Sequence, residues 1–298
     1  MQWLITLVFL ILGIHVTLQS PDGWGYTDKH GPKTWEGICQ LGTRQSPIDI
    51  VDDDTLEADL GPLEFIKYDH LYNATVTNNG HTIQVALKGQ PLLSGGGLET
   101  NYQLDQMHFH WEAEHTINGY RDPLELHLVH YNKKYNNFTT ALKHENSISV
   151  VAVLFEKSEV DNKHLQPIID AAKQVSNWEL KSKIDIDVQG TVLPTLFIPA
   201  DRTMYYRYDG SLTTPTCQEI VTWFIMTEKL PVSVSQLHVL RNIKNNEGPV
   251  TSNFRPTQNR YHRKVYHHLQ GYISSQQKIL SNSVYIILIV FSNILVFL

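Results

Sequence analysis

QMHFHWEAEHTINGYRDPLELHLVH, residues 106 to 130, holds five of the chain's 15 histidines, and the spacing of those five decides how the rest of the sequence is read. In an extended strand successive side chains alternate faces, so His108 and His110 share one face with Phe109 on the other. Asn118-Gly119 is a strong turn dipeptide, after which LELHLVH returns as a neighbouring antiparallel strand. On that strand His127 shares its face with Glu125 and Val129, while His130 points the other way. His127 is therefore the candidate third partner of His108 and His110, and His115 and His130 are structural by default. Three neutral imidazoles with an open fourth position form a catalytic zinc arrangement, whereas structural zinc sites are closed and rich in thiolate. Spacing alone leaves a second reading open, in which the three are ordinary strand histidines in satisfied hydrogen bonds. Metal-bound imidazoles have their other ring nitrogen held by an acceptor. Gln106 and Glu125, each two residues before a candidate ligand and on its face, have the chemistry for that.

Working outward, β-rich runs recur as ATVTNN, HTIQVALKG, YQLDQMHFHW, SISVVAVLFE and TVLPTLFIP, most bounded by Gly, Asn, Asp or Pro. Helical spacing appears in LQPIIDAAKQV, 165 to 175, and CQEIVTWFIMTEKL reads as a strand followed by a short helix. A chain of 298 residues with 42 % hydrophobic content can bury a sizeable core. No linker or composition shift interrupts residues 21 to 273, which read as one β-dominated domain with a few peripheral helices. The formal net charge is −6 with the signs interspersed, so nucleic acid is not an expected partner.

Both ends read as processing signals. WLITLVFLILGI, 3 to 14, has the length of a secretory leader core, with a leader over 1 to 20 and cleavage near Gln19-Ser20-Pro21; a buried helix is the alternative. Residues 274 to 298 combine the small pair Ser274-Ser275, a polar spacer and the apolar tail VYIILIVFSNILVFL. That tail is shorter than the roughly 20 residues a spanning helix needs. The pattern fits a glycosylphosphatidylinositol attachment signal at Ser274 or Ser275, with a C-terminal membrane-spanning tail as the alternative. The expected location is the outer face of the cell membrane. Asn73-Ala-Thr75 and Asn137-Phe-Thr139 are glycosylation sequons and predict surface loops or turns. Cys39 and Cys217 allow one intrachain disulfide, for which chain entropy gives on the order of 5 kcal/mol; two buried thiols are the other reading.

At this point the residues resemble the α-class carbonic anhydrases over nearly the whole mature chain. The resemblance rests on ordered blocks: WGYTDKHGPKTW (24 to 35), RQSPIDI (44 to 50), NNGHTIQV (78 to 85), QMHFHWEAEHT (106 to 116), ELHLVHYN (125 to 132), VAVLF (151 to 155), YDGSLTTPTCQEIVTW (208 to 223) and NFRPTQ (253 to 258). It implies an α+β fold around a large, mostly antiparallel, twisted central sheet. It also implies an enzyme that reversibly hydrates carbon dioxide to bicarbonate and a proton by zinc-hydroxide attack. One Zn2+ would be held by His108, His110 and His127, with Gln106, Glu125 and the backbone carbonyl of Asn253 behind them. Thr213 and Glu114 match the pair that orients the hydroxide, and Thr214 a neighbouring substrate contact. Val129, Val153, Leu212, Val221 and Trp223 match the apolar wall for carbon dioxide. His81 matches the proton shuttle, where an ordinary imidazole pKa near 6.5 suits the task, and Tyr26 matches a residue that orders connecting waters. The Cys39–Cys217 bridge is expected, although Cys39 stands about one position off the commonest spacing. The loop between Trp111 and Glu114 is shorter than in many vertebrate members, although short versions also occur in the family. YHRKVYHH, 261 to 268, has no family counterpart and reads as a solvated terminal segment. A catalytically silent relative would lack a ligand histidine, and all three are present. Oligomeric state is not legible.

Overall fold

Nine consecutive residues, Leu124–Asn132, are all buried, and so are the first eight of Ile148–Ser158. Strands covered on both faces read as near-continuous apolar runs, and these two form the centre of the sheet. The computed structural model describes residues 23–177 and 184–269. The expected leader and the anchor signal with Ser274 and Ser275 lie outside the described residues. Among them no helix is long and apolar enough to cross a membrane.

The strands that position the site are β1 (Tyr72–Asn78), β2 (Ile83–Leu87), β3 (Tyr102–His110), β4 (Leu124–Asn132), β5 (Ile148–Ser158), β6 (Ile184–Val192), β7 (Tyr205–Gly210), β8 (Val221–Met226), β9 (Leu230–Ser233) and β10 (Tyr266–His268). They belong to one sheet in the order β6-β1-β2-β3-β4-β5-β8-β7-β10. Among these strands neighbours are antiparallel except β5, which runs parallel to β8 and, off that path, to β9. Each face of the sheet carries its own apolar cluster. Phe109, Leu126, Leu128, Val151, Val153 and Phe155 lie in one, and Val129, Val150, Ala152, Val221 and Trp223 in the other.

The helices are short. α1 (Phe138–Ala141) follows β4, and α2 (Gln166–Gln174) falls within the expected 165 to 175 run, burying Ile168 and Ile169 against the first cluster. CQEIVTWFIMTEKL differs from expectation: β8 forms, but the chain then enters strand β9 in place of a helix. The helix comes one step later as α3 (Val234–Arg241), opened by a capping box in which Ser233 and Gln236 satisfy each other's backbone donors. TVLPTLFIP also differs, since β6 ends at Val192 and Pro194–Phe197 forms a 3-10 turn; Pro194 has no N–H to offer a ladder. YHRKVYHH is not a solvated tail: Val265 is fully buried, His268 is nearly so, and β10 pairs with β7.

Asn118 and Gly119 adopt the left-handed conformation at φ 50° and 77°, and close a two-residue turn between Ile117 and Tyr120. Cys39 and Cys217 form a disulfide, packed against Trp35. Asn137 lies in a turn as its sequon predicts, whereas Asn73 is exposed within strand β1, because the Tyr72–Asn78 run alternates strongly enough to pair.

Candidate zinc centre

The pairing of β3 with β4 places His108 opposite His127 and His110 opposite Glu125. The register shifts by one residue between Leu104 and Gln106, just ahead of the site, and from Gln106 onward the pairing sets these partners. Each imidazole then has one ring nitrogen engaged. His108 Nδ1 donates to Gln106 Oε1 at 2.9 Å, His110 Nδ1 to the Asn253 carbonyl at 2.7 Å, and His127 Nε2 to Glu125 Oε1 at 2.6 Å. The acceptors thereby select the tautomers and leave His108 Nε2, His110 Nε2 and His127 Nδ1 facing one another.

These three nitrogens all lie within 4.8 Å of one another, and the His108–His127 pair is 3.3 Å apart. Tetrahedral zinc with Zn–N bonds near 2.0–2.1 Å needs ligand nitrogens about 3.3 Å apart. His110 Nε2 is buried and has no hydrogen-bond partner, a costly condition for a polar atom unless something else binds it. Burial lowers the pKa of all three histidines, that of His110 to about 4, so they stand as neutral donors. The donor set, its spacing and the orphaned nitrogen fit zinc.

Glu125 is the hub behind the ligands. Its Oε1 also accepts from His115 Nδ1 at 2.7 Å, and its Oε2 accepts from the backbone N–H groups of Glu114 and His115 at 2.8 Å. Burial would raise its pKa, but His115 and His127 outweigh that and hold it well below the usual carboxylate range. His115 is thus a support for the ligand shell, its Nε2 lying 2.7 Å from the Tyr208 hydroxyl. His130, on the opposite face, has Tyr68 Oη 2.5 Å from Nε2 and the Ser149 carbonyl 3.3 Å from Nδ1.

Glu114 is fully buried. Its Oε1 accepts from the Arg255 N–H at 2.9 Å, while Oε2 lies 3.5 Å from His110 Nε2 and completes no hydrogen bond. Burial pushes its pKa up to about 7, and the Thr213 hydroxyl beside it acts in the opposite direction. Arg255 is buried too, donating to Gln45 Oε1, the Ser46 carbonyl and the Cys39 carbonyl. It ties the NFRPTQ segment to the disulfide.

A cavity of about 450 Å³ opens onto the histidines. Gln106, His108, His127, Thr213 and Thr214 give it a polar side; Val129, Val150, Leu212 and Trp223 give it an apolar one, with Phe138 and Leu142 also lining it. Val153 is not part of this wall. It lies in the cluster on the far face of the sheet, whereas Val150, paired with Val129, occupies the place expected for it. The two differ by three positions, an odd number, and an odd slip changes faces. Val221 packs in the same cluster as Trp223 without lining the cavity.

His81 stacks on Trp24 with ring centroids 3.7 Å apart and planes within 8°. Its turn is held by Asn79 Oδ1, which accepts from the N–H groups of His81 and Thr82. In the stack, burial lowers its pKa to about 4, well under the near-neutral value expected from the sequence. Tyr26 packs edge-on to Trp24 and Trp35, and burial followed by the Glu114 charge raises its pKa well above the usual phenol value. One residue joins these parts: the Asn253 side chain donates to the His81 and Phe109 carbonyls and accepts from the Trp111 N–H, while its own carbonyl holds His110. Sequence reasoning missed Val150 and Arg255; the alternating signal for Val150 is hidden in the uniform run SVVAV.

Fold and site together define a protein whose central β-sheet carries three convergent histidines able to hold a metal ion. The model of the eukaryotic-type carbonic anhydrases matches residues 30–269. Similar relatives include carbonic anhydrase 3 of Sus scrofa, 36 % identical over 79 % of this chain and 94 % of the relative. Human carbonic anhydrase 7 is 34 % identical over 79 % and 93 %, and mouse carbonic anhydrase 6 is 33 % identical over 87 % and 85 %. The chain belongs to the eukaryotic-type carbonic anhydrases, zinc-dependent enzymes of reversible carbon dioxide hydration.

Proposed function

We propose that this carbonic anhydrase works with one zinc ion at the outer face of the cell membrane and exports its proton through His81. The observation that carries the zinc reading is the set of three imidazoles whose unused nitrogens converge while their other nitrogens are held by Gln106, Asn253 and Glu125. His108, His110 and His127 would hold the zinc, which would supply a water of pKa about 7 as the nucleophile, a value for which carbonic anhydrase is itself the reference case. The chain's residues do the rest. Thr213, with Glu114 behind it, orients the nucleophile's proton. Val129, Val150, Leu212 and Trp223 offer carbon dioxide, which has no net charge, an apolar surface beside the polar one. Thr214, which lines the same cavity, contacts the bicarbonate product in this reading. Metal analysis and carbon dioxide hydration before and after chelation test this: a folded, zinc-loaded protein with no rate above background would refute it.

For the proton, His81 has two positions in this proposal. Stacked on Trp24, the ring is neutral; to take up a proton near pH 7 it must leave the stack for water, where an imidazole pKa of about 6.5 applies. Tyr26, at the edge of the same aromatic cluster, helps order the waters between. Buffer dependence of turnover in His81→Ala is the test.

The outer-face location is supported by the Cys39–Cys217 bridge, since such bonds persist in oxidising compartments. The leader-like N-terminus, the two sequons and the anchor-like C-terminus agree with it. Release of activity from intact cells by a phosphatidylinositol-specific phospholipase is expected; activity that stays on the membrane would favour a spanning tail.

A further inference from the structure

The Asn137-Phe-Thr139 sequon has a position that its sequence does not disclose. Phe138 and Leu142 line the catalytic cavity, and Asn137 is the residue that caps the start of α1. The acceptor is therefore the immediate neighbour of a cavity-lining side chain. Neither Asn73 nor its neighbours Tyr72 and Ala74 line the cavity.

Asn137 is exposed, and its side chain is divided in function. Oδ1 accepts from the Thr140 N–H at 2.8 Å, while Nδ2, the atom a glycan would use, makes no hydrogen bond among the described residues. Glycosylation thus leaves the cap in place. The turn is also well anchored: Ala141 is buried, the Ser147 hydroxyl donates to the Ala141 and His144 carbonyls at 2.7 and 2.6 Å, and Tyr135 stacks on His144. A sugar stem at Asn137 would stand at one place beside the opening.

We propose that Asn137 carries an N-linked oligosaccharide that screens the active-site mouth from bulky ligands while letting carbon dioxide and bicarbonate pass. This rests on the secretory reading above, because the donor, a lipid-linked diphospho-oligosaccharide, is found in that pathway. In the transfer Nδ2 loses a proton and bonds to the anomeric carbon, and the lipid diphosphate leaves. An obstruction at the rim narrows the orientations from which a large ligand can enter, so it acts on the association rate.

The test uses the full chain produced in animal cells, with mass mapping of both sequons. Thr139→Ala abolishes the acceptor but keeps the Asn137 cap and Phe138. Two probes are compared: an aromatic sulfonamide, whose deprotonated nitrogen is a zinc donor, and the same head group on a polyethylene glycol chain. Asn137 should be occupied, and carbon dioxide hydration should be equal in wild type and Thr139→Ala. Association of the bare sulfonamide should also be unchanged, while the tailed probe should bind the variant about tenfold faster. Enzymatic removal of the glycan from the folded wild-type protein should reproduce the change. Asn73 modified with Asn137 bare, or Asn137 modified with equal rates for the tailed probe, overturns the inference alone. Both sequons bare on a chain retained in the cytosol overturns the secretory reading and this inference with it.

Discussion

His127 and His130 stand three residues apart on one buried strand, and both have their pKa lowered by burial. They differ in what their ring nitrogens meet. On the far face, both nitrogens of His130 have protein partners, Tyr68 and Ser149. On the near face, one nitrogen of His127 is held by Glu125 and the other turns toward His108 and His110. Burial and neutrality are therefore common to the structural histidine and the candidate metal ligand here. The distinguishing mark is a nitrogen the protein leaves for something else, seen most sharply at the partnerless His110 Nε2.

The hardest test of that comparison is to remove one histidine from each face. His127→Ala should abolish stoichiometric zinc and lower carbon dioxide hydration by on the order of a thousandfold or more, since a catalytic site then has two protein ligands in place of three. His130→Ala should keep zinc and most of the rate but cost about 2–4 kcal/mol in denaturant unfolding, by leaving a cavity and unpairing Tyr68 and Ser149. If the two variants had the same phenotype, the distinction between the faces would fail.

His130 also predicts a pH dependence. Its folded pKa of about 3 lies below the ordinary value of 6.5, so the unfolded chain binds the proton more readily. Its contribution is fully present above about pH 6.5 and is lost as pH falls, at about 1.4 kcal/mol per unit down to about 3. In urea unfolding from pH 7 to 5, the loss of stability per pH unit should be smaller in His130→Ala than in wild type by about this amount.

Smaller effects sharpen the near face. Glu125→Gln keeps the size of the hub and removes its charge, so zinc affinity should fall about 10- to 100-fold with the fold retained, measured by competition with a chelator. His81→Ala should reduce turnover on the order of tenfold in weak buffer and be rescued by added imidazole. Trp24→Ala should raise the His81 pKa from about 4 toward 6.5 in an NMR titration, because the stack that buries it is gone. Unchanged titration would show that Trp24 is not what shields the ring.

Features set by nearby residues were legible in the sequence. Alternation put His108 and His110 on one face, Asn118-Gly119 gave the turn, and Gln106 and Glu125 fell two residues before their imidazoles. Helix α3 is legible too, in the S-x-x-Q pattern of residues 233–236, which opens it one step after the segment whose composition suggests a helix. What the tertiary structure alone decided involves partners distant in the chain. The Asn253 carbonyl reaches His110 across 143 residues, and residue spacing carries no signal of such a bond; a family resemblance suggested it, and only packing brought the two together. Val150, not Val153, faces the cavity because ladder pairing with Val129 sets the register of an apolar run that is featureless in sequence. His81 looked like an ordinary solvent-exposed imidazole until Trp24, 57 positions earlier, covered its ring. Side-chain periodicity is a property of a few consecutive residues, and it marked out the candidate ligands. Register, burial and pKa depend on which strands and rings come together, and those belong to the fold.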